Sequence, residues 1–148
     1  MATLVDIGWV AERLHQPGML ILDSRLYMRY LMGHLPGAVN VPAPYVFGPD
    51  GLLLPPAGLA AWLGRAGLSD DVTPVVYDSH DGQRGALLIW VLEYLGRRDV
   101  HLMDAFYDAW RVAGHPIVYP RHAVAACRLH GPAQPRRARG DPGRAPGR

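Results

Sequence analysis

Short apolar runs and helix-period segments alternate along this chain for about 120 residues, and no other feature constrains the fold as tightly. Residues 7–15 carry Ile7, Val10, Ala11 and Leu14 at helical spacing before a stop at Gln16-Pro17-Gly18. Residues 19–22 form a strand candidate that runs into Asp23-Ser24-Arg25. Residues 26–32 read as a short helix closed by Gly33, and residues 38–41 as a strand between Pro36-Gly37 and Pro42. Residues 42–56, rich in Pro and Gly, read as a long surface loop. A helix over 57–67, a strand over 74–77, a helix over 85–95, a strand over 100–103 and a helix over 107–113 follow. Alternation of this kind predicts an α/β fold of three layers, with about five mainly parallel strands and helices on both faces. Trp9, Trp62, Trp90 and Trp110 fall on the helical segments and are expected in the core.

The pattern stops at Arg121. Eight of the last 28 residues are Gly or Pro, with arginines scattered among them, so a domain over 1–120 and a disordered tail over 121–148 are expected. All 15 basic residues are Arg. Residues 1–120 hold 8 Arg against 12 Asp and Glu, whereas residues 121–148 hold 7 Arg against one Asp. The domain is thus mildly acidic, and the tail alone makes the chain basic. The tail has no aromatic on which bases could stack, so nucleic acid is not the expected partner. The lone Cys127 excludes an intramolecular disulfide framework and a multi-cysteine zinc site. It sits in the tail with no strand before it, and no nucleophilic role is expected of it. No basic leader and no membrane-length apolar run is present, so a cytoplasmic protein is the expectation.

Chemistry in such a sheet belongs beyond the carboxyl ends of the strands. There the sequence has Asp78, Ser79, His80, Asp81, Gly82, Gln83 and Arg84, between a strand and a helix. The N–H groups of a loop in this position, with the helix N-terminus, can cradle an anion. The plainer alternative is an ordinary connection turning at Asp81-Gly82. His80 with Asp81 and Asp78 lacks metal-ligand spacing, and no metal or cofactor is expected.

Asp23-Ser24-Arg25 and the run Gly33-His34-Leu35-Pro36-Gly37-Ala38-Val39-Asn40-Val41-Pro42 resemble the rhodanese signature. Val75-Val76-Tyr77, the Gly82-x-Arg84 loop, Asp108-Ala109-Trp110-Arg111 and Gly114-His115-Pro116 continue it in order. The likeness covers roughly residues 4–118 and is nearest to the first half of two-domain thiosulfate or 3-mercaptopyruvate sulfurtransferases. It implies a rhodanese-like fold and a family chemistry in which a cysteine thiolate takes a sulfur as a persulfide and passes it on. That cysteine would fall at Asp78 or Ser79, and neither is cysteine. A serine hydroxyl cannot form a stable persulfide, and an aspartate would compete for the cradle. Where the family has Gly-Gly, this chain has Ala105-Phe106, so Phe106 is expected to fill the pocket mouth or redirect the turn.

The resemblance therefore implies a domain without its own nucleophile, inactive alone, as the non-catalytic half of such a sulfurtransferase. A second rhodanese domain or a small anion is the implied partner. The competing reading is a stand-alone rhodanese-like module binding an anion or a protein, and a third is unrelated chemistry at Ser79 or Asp78. Asp23 and Asp78 are expected to pair with Arg25 and Arg84, and His34 to make structural hydrogen bonds. The codons of Arg139-Gly140-Asp141-Pro142, read one nucleotide later, can encode Val-Ala-Thr-Leu, which resembles the opening of a second sulfurtransferase domain. The tail is accordingly read as a frame-shifted remnant and the chain as a truncated first half.

Overall fold

The computed structural model describes residues 1–120; the expectations for the tail, Cys127 and the frame-shifted remnant lie outside them. Five strands form one sheet: β1 (Thr3–Val5), β2 (Met19–Asp23), β3 (Val39–Asn40), β4 (Thr73–Tyr77) and β5 (His101–Met103). Their order is β1-β5-β4-β2-β3, and every neighbouring pair is parallel. Parallel strands need crossovers, which are supplied by α1 (Ile7–Arg13), α2 (Tyr27–Leu31), α3 (Pro56–Arg65) and α4 (Gln83–Tyr94), while α5 (Tyr107–Val112) follows the last strand.

Alternate side chains of the central strands feed two cores. On one face Leu20, Leu22 and Val76 pack with Leu59 and Leu63 of α3 and Leu88 of α4. On the other, Ile21, Val75 and Tyr77 pack with Val10 of α1 and Trp110 of α5. Burial on both faces explains why β2 and β4 are almost continuously apolar. The result is the three-layer α/β architecture expected from the alternation.

Three details depart from the sequence reading. Strand β1 was not among the strand candidates; it becomes a strand by pairing Thr3–Val5 with His101–Met103. The Pro-rich 42–56 segment is not all surface. A 3-10 turn over Ala43–Val46 sends Ala43 and Val46 into the core, and Phe47 bridges Leu53. Prolines at 42 and 44 fix the backbone for that tight turn. Of the four tryptophans only Trp110 is fully buried. Trp9 and Trp62 are half-buried, and Trp90 is exposed and stacks on Tyr94. Leu88, Ile89, Val91 and Leu92 already fill the core side of α4, which leaves Trp90 on the outer face. No helix among the described residues is long and apolar enough to cross a membrane.

Candidate functional site

The carboxyl ends of β2 and β4 lie side by side, with Asp23 in register with Tyr77, so Asp23-Ser24-Arg25 and the 78–84 loop meet. Ser24 ties them together: its N–H and its hydroxyl both donate to the Tyr77 carbonyl, at 3.1 and 2.9 Å.

Asp23 is wholly buried. The Arg25 side chain donates to it from Nη2 to Oδ2 at 2.6 Å and from Nε to Oδ1 at 2.9 Å and Oδ2 at 3.2 Å. The Arg25 backbone N–H reaches Oδ1 at 3.0 Å, and the Tyr77 hydroxyl donates to Oδ2 at 2.5 Å. Nη2 of Arg25 also reaches the Gly33 carbonyl at 2.8 Å, and its guanidinium lies 3.9 Å from the Tyr107 ring centre. A buried pair needs this density of partners to offset desolvation. Burial opposes the Arg25 charge, but the hydrogen bond and charge of Asp23 outweigh it and hold the arginine pKa above its ordinary value. Burial, reinforced by Asp23, pushes the Tyr77 hydroxyl far above the ordinary tyrosine range.

Asp78 is held differently. It is 2% exposed, and its carboxylate accepts the Ser79 N–H at 2.6 Å on Oδ1 and the Gly85 N–H at 2.8 Å on Oδ2. The Ser79 hydroxyl adds a longer contact of 3.3 Å. Gly85 makes this possible: a Cβ there would stand 3.2 Å from the Asp78 Cβ. Gly82, with φ of 67°, supplies the left-handed turn into α4, which starts at Gln83 rather than at Gly85. Asp81, just before that N-cap glycine, accepts the Gln83 N–H at 3.3 Å.

The expected pairing of Asp78 with Arg84 does not form, because the Asp78 oxygens face the main chain. Arg84 instead stands 3.7 Å from Asp81, beyond hydrogen-bonding reach, and its Nε is buried without a partner among the described residues. His34 is buried; Nδ1 lies 3.0 Å from the Tyr30 carbonyl, the ring stacks on Tyr30 at 3.7 Å, and its backbone bridges Val118. Phe106 does not line the cleft. It lies over Gly82, with a ring carbon 3.5 Å from where a Cβ would sit, and its φ of −91° suits any L-residue. Glycine is therefore not required at this turn. His80, Asp81 and Asp78 do not converge, and no group of three metal-ligating side chains occurs among the described residues.

Above the loop opens a cleft of about 540 Å³, lined by Ser79, His80 and Asp81 but not by Asp78. Four arginines reach it: Arg25, Arg29, Arg84 and Arg111. Leu26, Met32, Ile117 and Tyr119 form an apolar wall. The sequence reading named neither Arg29 nor the cleft role of Arg111, which it used only as part of a motif. Both stand exposed on short helices, and only the return of α2 and α5 to the same sheet end brings them together.

A doubly covered parallel sheet with a strand, loop and helix meeting at its carboxyl edge defines an α/β domain of the kind that places chemistry there. The chain belongs to the Rhodanese-like domain family, whose profile matches residues 6–113. It is 38% identical over 125 residues to a Synechococcus elongatus protein provisionally named as a thiosulfate sulfurtransferase, covering 79% of this chain and 39% of that protein. It is 33% identical over 115 residues to a thiosulfate sulfurtransferase of Corynebacterium glutamicum, covering 72% of this chain and 36% of that one. SseA of Escherichia coli, described as a 3-mercaptopyruvate sulfotransferase with the rhodanese fold, superposes with a TM-score of 0.73 at 22% identity. The match covers 80% of this chain and 51% of SseA. The chain thus spans less than half the length of these two curated relatives.

Proposed function

We propose that this chain is the non-catalytic half of a two-domain thiosulfate or 3-mercaptopyruvate sulfurtransferase. One observation carries the reading: the Asp78 carboxylate takes the Ser79 and Gly85 N–H groups, where the family's chemistry needs a thiolate. Sulfur transfer from thiosulfate requires that thiolate to attack the outer sulfur. The S–S bond breaks, sulfite leaves, and cyanide then takes the sulfur as thiocyanate. A carboxylate or the Ser79 hydroxyl forms no stable persulfide, so the domain alone does not turn over. Its role is to complete, by docking, a domain that carries the cysteine.

Purified protein with thiosulfate and cyanide is expected to yield thiocyanate no faster than the free solution does. Turnover above that rate defeats the reading. If the assay is silent, a separately expressed cysteine-bearing rhodanese domain from a two-domain relative is added. Association with raised turnover supports the half-enzyme. Neither association nor rescue favours a stand-alone binding module, the reading that the arginine-lined cleft recommends.

A further inference from the structure

The cleft at the carboxyl end of the sheet holds cationic donors that the fold uses only in part. Arg25 is committed to Asp23 and Gly33. The other three are not. Arg29 makes no ion pair among the described residues, Arg84 keeps its Nε unpartnered, and Arg111 stands 3.6 Å from Asp108, outside hydrogen-bonding reach. Three guanidinium groups therefore face two carboxylates, Asp81 and Asp108, and the balance is positive in a domain that is otherwise acidic. The N–H groups of His80, Asp81 and Arg84 also find no acceptor among the described residues. Asp78 has already taken the two innermost N–H groups, so an anion meets these outer donors rather than the base of the loop.

The rest of the lining is largely apolar and open to solvent: Leu26 is 44% exposed, Met32 66% and Tyr119 62%. Exposed large apolar side chains beside loosely paired guanidinium groups favour an amphipathic ligand over a bare inorganic ion. A volume of about 540 Å³ lies within the range of small-molecule sites and far exceeds what phosphate or thiosulfate needs.

We infer that this cleft binds a small organic oxyanion, with a phosphate-ester or sulfonate head on Arg29, Arg84 and Arg111 and an apolar body against Leu26, Met32 and Tyr119. The site lies outward of Asp78 and is independent of whether the domain ever carried a nucleophile.

Titration calorimetry of the full chain with phenyl phosphate, benzenesulfonate and inorganic phosphate tests this. At least one aryl ligand is expected to bind at a single saturable site, about tenfold tighter than inorganic phosphate. Tighter phenyl phosphate assigns a phosphate ester, and tighter benzenesulfonate a sulfonate. Arg29→Ala and Arg111→Ala, both exposed and outside the core, are each expected to weaken binding about fivefold or more. Met32→Ser is expected to shrink the preference for the aryl ligand, and Arg98→Ala, at the far end of the strands, to leave binding unchanged. No saturation at millimolar ligand overturns the inference, as does equal affinity for inorganic phosphate. Full affinity in Arg29→Ala and Arg111→Ala also overturns it, because binding then belongs to arginines elsewhere, those of residues 121–148 included. Thiocyanate turnover plays no part in these readouts, so this inference and the half-enzyme reading fail separately.

Discussion

Asp23 and Asp78 stand at the carboxyl ends of adjacent strands, both buried, and their surroundings could hardly differ more. Asp23 meets a guanidinium, a tyrosine hydroxyl and one backbone N–H. Asp78 meets only N–H groups of its own loop and helix, with a weak contact from Ser79. The first arrangement joins β2, β4 and the Gly33 turn into one buried network. The second is local and stabilises only the turn into α4. A carboxylate held by main-chain N–H groups occupies a place made for an anion, whereas one held by arginine is a cross-link.

The largest effect is expected at Asp23. Asp23→Ala leaves Arg25 buried with no counter-charge and is expected to cost about 3–5 kcal/mol in urea unfolding. Asp78→Ala leaves two N–H groups unpaired near a partly open cleft and should cost less, about 1–3 kcal/mol. Equal losses at the two sites would break the distinction between cross-link and turn.

Tyr77→Phe sharpens it further, because Tyr77 touches the Asp23 network and not the Asp78 carboxylate. Losing the hydroxyl that donates to Asp23 and accepts the Leu35 N–H should cost about 1 kcal/mol at neutral pH. The hydroxyl also gives the network a pH signature. Its folded-state pKa is raised above the ordinary 10.0, so its contribution is complete below that value. Stability should fall as the pH rises above about 10, where the unfolded chain ionises first. Urea midpoints from pH 8 to 11 are expected to fall less in Tyr77→Phe than in the parent chain. Tyr30 and Tyr107, also raised by burial, keep part of the slope in both.

The smallest change is expected at Gly85→Ala. Helix propensity favours alanine by about 1 kcal/mol, while the new Cβ presses on Asp78, and the net shift should stay within about 0.5 kcal/mol. A large loss would mean that the Asp78 turn is far stiffer than the Asp23 network, reversing the comparison.

How far the sequence reveals these features depends on how local their causes are. The strands β2 and β4 are legible because burial on both faces makes them almost continuously apolar. Asp23 and Arg25 are legible as a pair because they are two residues apart. The Tyr77 link to Asp23 spans 54 residues, and no local pattern encodes it. Strand β1 has three residues, two of them exposed, and looks like any chain end until β5 is beside it. Arg29 and Arg111 read as ordinary surface arginines on short helices; the cleft exists only once the sheet gathers them. The expected bond between Asp78 and Arg84 failed because backbone donors were closer than the side chain.

The strand order has a consequence in time as well as in space. β5 lies between β1 and β4, so residues 3–5 find their sheet partners only when residues 101–103 are in place. A growing chain that has not reached residue 101 carries β4 with one edge bare, and a bare apolar edge is a template for pairing with another chain. Folding of this domain is thus expected to wait for nearly its whole length, its edge closing late through its most distant contact, and to be most prone to aggregation just before that.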